Sequence, residues 1–491
     1  MEKQKTENDL SKCMKTLLKS VDHNIQSGTI SLVAEEHQNS SNQEAYIPRV
    51  VSMGPRYNKF KEELLHMEEI KLRCMLSLFH RAAKDGNIEE ITEKCNSAIW
   101  KLDDKIQASY VMDIGLERYE LAKIMLVDGC FLLELLITKA FELNSQLLPN
   151  HLNVTSIHSP FPRQVLKNDV VLSDLTLLEN QIPMFIVRKL SKILFPYFSG
   201  KDSKETYTIF NKLALSILGY SYQLSQVQSL EIKFHHLLDV VHYFVNNNNN
   251  NNSNNPEHRV KIMHNSTETQ RVKETTKLKL KCCATRLEVA GVSIHQLAQD
   301  KGVGGLDFEF KFKEGKLEIA ALIITETTKA KWRNVIAWEH HKMDWKKSYS
   351  NKSTNGSEIY STCGKFTSAA LIFNDLICCR DDVKLLKDKN IIVDHTKMSN
   401  KELEEFIRTM SFGVDHGIVG SGYVEMVRGL NDYTAGFHFK RFWKKLIHYF
   451  TYCYEWCIKF MKKKYHFVAT VISLCTVVQT IYAIIAYQLP K

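Results

Sequence analysis

The chain has 491 residues, of which 44% are hydrophobic and 24% are charged, and its net charge is +10. This composition is ordinary for a globular protein, so a sizeable core can form. Residues 438–466 hold eight basic residues and one acid, which leaves +3 for the rest of the chain. Nucleic-acid-binding proteins usually spread their positive charge over a domain face, so we expect no nucleic-acid partner.

The N-terminal region, residues 1–44, is polar and weakly patterned, and we expect it to be variable. It contains no apolar run long enough for a secretory signal peptide. A continuous body begins near Ala45, and residues 45–245 are predicted to form a helical first half. Its predicted helical regions are 61–81, 117–143 with a break at Asp128-Gly129, 165–196 with an interruption at Pro183, and 224–244.

An unbroken run of asparagine covers residues 246–252 and is followed by Ser253, Asn254, Asn255 and Pro256. Such a tract has no apolar groups to bury, so we predict a low-complexity, disordered linker over 246–272. The linker divides the body into two halves, and residues 273–461 form the second.

The second half begins with a change of hydrophobic period. Residues 306–313 alternate apolar and polar side chains, Glu314-Gly315 provides a turn, and residues 316–325 are again strand-like. This pattern predicts a β-hairpin. The fold class is therefore predicted as mainly α with a small β-hairpin or sheet (α+β). The remaining predicted helices are 334–345, 366–386, 401–409 and 423–461.

The C-terminal residues 467–487 contain no charged side chain. As a helix this run would be roughly 31 Å long, which matches a bilayer core, so we predict a single transmembrane helix. Lysines precede it and only Lys491 follows, which places the N-terminal domain in the cytoplasm, at the plasma membrane or an endomembrane.

A predicted basic amphipathic helix, residues 439–461, stands directly before this run. It could lie on an anionic lipid surface, bind a calmodulin-like partner, or pack its aromatic stripe on the body. Its basic residues, with three lysines that follow it, form the basic cluster: Lys440, Arg441, Lys444, Lys445, Lys459, Lys462, Lys463 and Lys464.

Twelve cysteines occur without any CxxC pair, so the sequence does not indicate a zinc ribbon or a thioredoxin-like site. In a cytoplasmic body we expect reduced thiols that pack as small apolar side chains. Cys453 and Cys457 are close to the membrane and are candidates for lipidation, with simple packing as the alternative.

Four carboxylates within apolar helical runs are the candidates for chemistry: Asp128, Glu134, Asp174 and Glu179. If they converge, they could bind a divalent metal or act as an acid–base pair. The structural alternative is that Arg118, Arg163 or Arg188 pairs with them, while Asn180 and Gln181 satisfy backbone groups beside Pro183. A buried ion pair is not itself evidence of catalysis, and we favour the structural interpretation.

Other motifs indicate no chemistry. The neighbouring histidines in Glu339-His340-His341, near Asp344, and in His235-His236 point about 100° apart on a helix and chelate poorly. The glycine-rich segments 302–305 and 417–422 lack the strand–loop–helix context of a phosphate loop. We therefore expect no cofactor, no metal, no small-molecule substrate and no enzymatic activity.

Several segments, taken in order, resemble a plant family known as domain of unknown function 247. The segments that match the family pattern are Ala45–Pro55, Leu65–Lys71, Val127–Leu136 (VDGCFLLELL), Asp174–Pro183 (DLTLLENQIP), Ala284–Val292 and Thr476–Tyr482. Arg286 stands where the family usually has Glu, and Tyr57-Asn58 replaces a usual His pair.

The resemblance implies a plant membrane protein with one C-terminal span and no assigned activity. Some grass relatives are implicated in pollen–stigma self-incompatibility, which implies recognition or signalling through an unknown protein partner. An enzyme or metal-binding protein that uses the four carboxylates remains the alternative hypothesis.

Overall fold

The first half of the chain is built almost entirely from helices. The computed structural model describes residues 28–38, 42–58, 62–83, 86–111, 114–142, 161–196, 203–218, 232–247, 278–297, 309–349, 364–436 and 439–488. Its first-half helices are α1 (Leu65–Ala82), α2 (Ile88–Trp100), α3 (Asp103–Gln107), α4 (Arg118–Glu142), α5 (Phe161–Leu166), α6 (Asp169–Asp174), α7 (Met184–Leu194), α8 (Ser203–Ile217) and α9 (Leu237–Asn247).

The second half adds short strands to further helices, so the predicted mostly helical architecture with small sheets is confirmed. The helices are α10 (Ala284–Val289), α11 (Thr328–Tyr349), α12 (Lys365–Leu376), α13 (Arg380–Asp388), α14 (Asn400–Met410), α15 (Ser421–Ala435) and α16 (Phe439–Gln488). The strands are β1 (Ser293–Gln296), β2 (Phe310–Lys313), β3 (Lys316–Ile319), β4 (Leu322–Ile324) and β5 (Ile392–Asp394).

Helix α4 lies at the centre of the first half, where it contacts α1, α2, α7 and α8. Its side chains are buried almost continuously from Ile124 to Thr138, as expected for a helix that is apolar all round. The predicted break at Asp128-Gly129 is wrong. A Cβ at Gly129 would lie within 3 Å of side-chain atoms of Ile186 and Leu190, so the glycine allows α7 to approach closely.

The interruption at Pro183 is present, because α7 begins directly after this proline, whose φ is −63°. Helix α11 then connects the two halves through the side chain of Asn334. Its Nδ2 donates to the carbonyl of Ala45 at 2.9 Å, and its Oδ1 accepts from the N–H of Leu178 at 2.8 Å. The same helix buries Trp332 and Trp338 completely, so core residues of both halves pack together.

The predicted β-hairpin is confirmed. Strands β2 and β3 pair antiparallel, with Phe310 opposite Ile319 and Phe312 opposite Leu317. The turn residues have φ values of 52° and 78°, which suits a two-residue hairpin turn that ends in glycine. Strand β1 adds to β3 in parallel, while β4 pairs with β5 in a separate sheet. The predicted strand over 316–325 is thus two strands.

The C-terminal region differs from its prediction, because one continuous helix, α16, replaces a separate basic helix and a span over 467–487. Among the residues that the structure describes, no helix is both long and apolar enough to cross a membrane. Packing of the aromatic stripe on the body is also wrong for the described Phe450, which is 68% exposed. Most of the predicted linker, from residue 248 onward, lies outside the described residues.

Candidate functional site

The candidate carboxylate Asp174 binds the backbone of the segment before α1. Its two oxygens accept the N–H groups of Arg49 at 3.1 Å, Val50 at 2.7 Å and Val51 at 2.9 Å. Burial raises the pKa of Asp174, although these three N–H groups act to lower it. The carboxylate therefore holds a chain segment whose N–H groups have no helix or sheet to pair with.

Asn180 and Gln181 satisfy backbone groups, as the sequence predicts. Asn180 accepts the N–H of Met53 at 2.6 Å and donates to the carbonyl of Val51 at 3.0 Å. Gln181 donates to two carbonyls of its own loop, at residues 175 and 177, both at 2.8 Å. The Asn180 amide thus fixes the loop between α6 and α7 against the segment 49–55, while the Gln181 amide closes the loop on itself.

Asp128 forms a buried ion pair with Lys71, a residue of α1. The distance from Lys71 Nζ to Asp128 Oδ1 is 2.7 Å, and the other carboxylate oxygen accepts the N–H of Gly54 at 2.7 Å. Burial raises the pKa of Asp128 to about 6 despite the ammonium group. Burial alone would lower the pKa of Lys71, but Asp128 and Glu68 beside it raise it. The pair is a structural clamp because both partners are fully engaged.

Gly54 provides a sharp test of this clamp. Its φ is +74°, and a Cβ there would lie 2.6 Å from the carbonyl oxygen of Gln181. We expect Gly54→Ala to lower the free energy of unfolding by about 2–3 kcal/mol, through backbone strain and a clash that backbone atoms cannot relieve. Gly86 is the matched control, since its φ is +72° with no atom within 4 Å of the added Cβ.

Gly86→Ala should therefore report only the conformational strain, about 1 kcal/mol. Urea unfolding of the full chain in mild detergent measures both variants. Equal losses in the two variants would contradict the close packing at Gly54.

Glu179 and Glu134 also have partners. Glu179 accepts the N–H of Val33 and the hydroxyl of Tyr57, each at 2.8 Å, and burial raises the pKa of Tyr57 well above its usual value. Glu134 is completely buried and pairs with Arg81 of α1. Burial raises the pKa of Glu134 even with this guanidinium beside it. Each carboxylate thus joins chain segments that are distant in sequence.

The four carboxylates therefore have separate structural partners among the described residues. Glu134 Oε1 alone accepts no hydrogen bond, and it is completely buried in the core. The prediction that Arg118, Arg163 or Arg188 pairs with these carboxylates is wrong. Arg118 is 3.3 Å from Asp103, and Arg188 lies over the ring of Tyr207, 4.9 Å from its centroid. Arg163 is exposed. The partners are instead Lys71, Arg81, Arg56, the Tyr57 hydroxyl and backbone N–H groups.

The histidine motifs have the diverging geometry that was expected. His340 packs edge-on against His37, whereas His341 stacks on Trp338, with ring centroids 5.3 Å apart. Glu339 binds the start of α12 by accepting two N–H groups and the hydroxyl of Thr367 at 2.7 Å. Burial raises the pKa of Glu339 to about 7. The side chain of Asp344 lies outside the described residues.

His236 is fully buried in its neutral form. Its Nε2 is 3.1 Å from the carbonyl of Thr29, and its Nδ1 accepts the N–H of Asp239 at 3.2 Å. An imidazolium could not accept that bond. Burial lowers the pKa of His236 to about 3. The Nδ1 atom of its neighbour His235 is 3.2 Å from the Asp239 carboxylate. The ring nitrogens of the two histidines therefore contact different groups.

This geometry predicts a pH dependence of stability. A base whose folded pKa lies below its unfolded value stabilises the fold above the unfolded pKa, and the contribution is lost as the pH falls. Between pH 7 and pH 5, wild type should lose about 2 kcal/mol that His236→Asn keeps, because Asn does not titrate. The difference between the two stability curves isolates this group.

The exposed His80 is the control for that experiment. His80→Asn should leave the pH profile of unfolding unchanged. Parallel profiles for wild type and His236→Asn would show that the buried ring is protonated in the folded state.

Two cysteines and a carboxylate form the group that best resembles metal ligands within the described ranges. The ligand atoms of Cys283, Cys378 and Asp382 lie within 4.8 Å of one another. However, Asp382 already accepts the N–H and hydroxyl of Thr285 at 2.8 and 2.7 Å and the N–H of Cys378 at 3.0 Å. Its oxygens hold the starts of α10 and α13 together, which explains the contact without a metal.

A cavity of about 510 Å³ lies beside α3 and α7, and sequence reasoning did not find it. Three cations line it: Lys105, Arg188 and Lys233. They come from three separate segments, so no linear motif signals them. Arg188 is the residue that could have indicated the cavity from the sequence, because its charge interrupts the apolar side of α7. In the structure it is buried.

The predicted membrane-surface residues lie on α16. Among them the side chains of Lys459, Cys453 and Cys457 are described, and all three are exposed. The two cysteines are four residues apart on one helix, so they share a face. Lipidation at this face remains a prediction.

A family model described as a plant protein of unknown function, DUF247, matches residues 30–478. The chain belongs to the DUF247 family. It is similar to UPF0481 protein At3g47200 of Arabidopsis thaliana, with 25% identity over 427 residues, covering 82% of this chain and 79% of that protein. Putative UPF0481 protein At3g02645 of the same plant is 30% identical over 169 residues, covering 34% and 28% of the two chains. No solved structure matches.

Four of the six segments that carry the DUF247 resemblance build the carboxylate network. Segment 45–55 supplies the bound N–H groups, 65–71 supplies Lys71, 127–136 supplies Asp128 and Glu134, and 174–183 supplies Asp174 to Gln181. In this DUF247 chain, these motif residues therefore hold the first half of the fold together.

Proposed function

We propose that this DUF247 protein is a non-enzymatic, membrane-associated module that presents its helical body for recognition by a protein partner. The observation that carries this proposal is the exposed apolar surface of α16. Large apolar side chains there are 45–63% exposed: Val471, Ile472, Leu474, Val477, Val478, Ile481 and Ile484. At about 100° per residue they cover an arc of roughly 240° of the helix. Exposed apolar surface of this extent marks a membrane or protein interaction site.

Lipid is the occupant that the flanking residues favour. The run 467–487 has no charge, and the basic cluster precedes it along the same helix. Anionic lipid head groups attract basic residues by about 1 kcal/mol each near the membrane surface. Because the cytoplasmic leaflet carries the anionic lipids, the basic cluster favours the cytoplasmic side of the plasma membrane or an endomembrane for the helical body.

The hydrogen bonds of Asp128, Glu134, Asp174 and Glu179 support a non-enzymatic role. Three of the four accept backbone N–H groups, and Glu134 pairs with Arg81. A general acid or base must reach a substrate proton, which these buried and bonded groups do not. These four carboxylates therefore do not support the alternative of an enzyme or a metal-binding protein.

Membrane fractionation and protease protection test the proposal. A tagged full-length chain expressed in plant cells should remain in the membrane pellet after carbonate extraction, with its N-terminal tag open to protease. Replacing Ile472, Val477 and Ile481 with Asp should release it to the supernatant, because each charge disfavours burial in lipid by about 2.5–3.5 kcal/mol.

Replacing the exposed Lys384, Lys401 and Glu405 with Asp is the control on the body, and it should leave the protein in the pellet. A wild type that is missing from the membrane pellet before carbonate treatment would reject the membrane association, and one that carbonate releases would reject burial of α16 in lipid. A protected N-terminal tag would reject the orientation.

A further inference from the structure

The cavity beside α3 and α7 contains a buried cation that has no ion-pair partner among the described residues. Arg188 is 7% exposed, and its guanidinium lies over the ring of Tyr207. Its Nη1 donates no hydrogen bond, and within the described ranges no carboxylate forms an ion pair with it. Burial lowers the pKa of Arg188 to about 10. A buried guanidinium without an anionic partner destabilises the fold, because its desolvation is not offset.

Two further cations lie at the exposed rim of the same cavity. Lys105 and Lys233 are both exposed, and the Lys105 ammonium stands 4.3 Å from the ring centroid of Phe185. Partial burial lowers the pKa of Lys105, and the charges of Lys233 and Arg188 lower it further. Asp104 contributes one acid to the described lining. The cavity therefore concentrates positive charge that an anion would neutralise.

The other fully buried arginine in the described chain has a different environment. Arg333 donates to the hydroxyl of Tyr46 at 2.8 Å, to the carbonyl of Met410 at 3.1 Å and to the carbonyls of His37 and Phe412. Where an arginine has a structural role, this fold thus surrounds the guanidinium with acceptors. Among the described residues, Arg188 has no comparable set of hydrogen-bond acceptors, so we do not assign it the structural role of Arg333.

We propose that this cavity binds a small organic anion whose carboxylate or phosphate group pairs with Arg188. The planar guanidinium suits both head groups, since it can donate two parallel hydrogen bonds to either. The rings of Phe185 and Phe234 line the same space and would contact an apolar body. A volume of about 510 Å³ is typical of a pocket for a small molecule.

Calorimetric titration of the full chain in mild detergent tests this inference. The probes are phenylacetate and phenyl phosphate, with neutral phenylacetamide as the isosteric comparison. At least one anion should bind, and phenylacetamide should bind at least about tenfold more weakly, because it lacks the charge. The two anions distinguish a carboxylate site from a phosphate site.

Arg188→Met should weaken binding of the preferred anion by at least about tenfold. The same substitution should leave the melting temperature of the free protein unchanged or raised, because it removes a buried unpaired charge. Lys384→Met removes an exposed charge far along the chain and should change neither quantity. A purely structural arginine would instead lower the melting temperature.

The double variant Lys105→Met, Lys233→Met provides a second test at the rim, should Arg188→Met fail to fold. It should weaken anion binding several-fold and reduce its dependence on salt. The inference is overturned if neither anion binds below about 10 mM, if phenylacetamide binds as well as the anions, or if folded cavity variants bind like wild type.

Discussion

Replacing Lys71 with Met is expected to lower the free energy of unfolding by about 3–5 kcal/mol, because the Asp128 carboxylate is then buried without its cation. Lys71 is 1% exposed and contacts Asp128, Glu68 and the carbonyl of Ser52. Methionine has a similar length and no charge, so it fills the space without replacing these bonds. Urea unfolding followed by circular dichroism, on the full chain in mild detergent, measures the loss.

A double variant separates the lost ion pair from lost packing. Asp128→Asn together with Lys71→Met should recover at least about 1–2 kcal/mol relative to Lys71→Met alone, since the amide oxygen can still accept the N–H of Gly54. Exposed Lys94, paired with Glu90 on α2, is the control. Lys94→Met should change stability by less than about 0.5 kcal/mol. A double variant as unstable as the sum of the singles would contradict the coupling.

Replacing Arg333 with Met is the second large expected effect, with a loss of about 3–5 kcal/mol. The guanidinium holds His37 and Tyr46 against the end of α14 and the residues directly after it, 409–412. Its removal takes the donor from the carbonyls of Met410 and Phe412, whereas those of His37 and Thr409 also accept from Tyr46 and Asn42. Denaturant unfolding measures the loss, and proteolysis at the N-terminal segment should become faster.

The comparison with Arg188→Met makes this prediction specific. Both substitutions remove a buried guanidinium, yet only Arg333→Met should lower stability, because among the described residues only Arg333 has a complete set of acceptors. Arg333→Lys should lie between wild type and Arg333→Met, since an ammonium can retain a subset of the bonds. Equal effects at the two arginines would show that burial alone, rather than hydrogen bonding, decides the outcome.

Features set by neighbouring residues were predictable from the sequence. The hairpin β2–β3 follows from alternation around Glu314-Gly315, and the start of α7 follows from Pro183. In contrast, the break expected at Asp128-Gly129 does not occur, because the glycine accommodates α7 rather than ending α4. Its role depends on a helix more than fifty residues away, which no local rule can register.

The sequence predicted that the acids of the candidate site need compensating partners, but it did not predict which residues those partners are. Asp128 and Asp174 are acids in apolar runs, and such groups must be compensated. Lys71 and the N–H groups of Val50 and Val51 compensate them from 57 to 124 residues away. The cavity was not predictable, because Lys105, Arg188 and Lys233 become neighbours only in the tertiary structure.

The hydrogen bonds of the segment that contains Val33 and residues 49–54 determine when this segment folds and how its amide hydrogens exchange with solvent. Its amide hydrogens bond to side chains of Asp174, Asn180, Asp128 and Glu179 across 74 to 146 residues of sequence. Such long loops close slowly, so this segment should dock after the helices that supply the acceptors have formed. Its amides should also exchange with solvent as one group. Their protection relative to intrinsic exchange should fall in acid, where protonation of Asp174, Asp128 and Glu179 weakens the bonds that hold them.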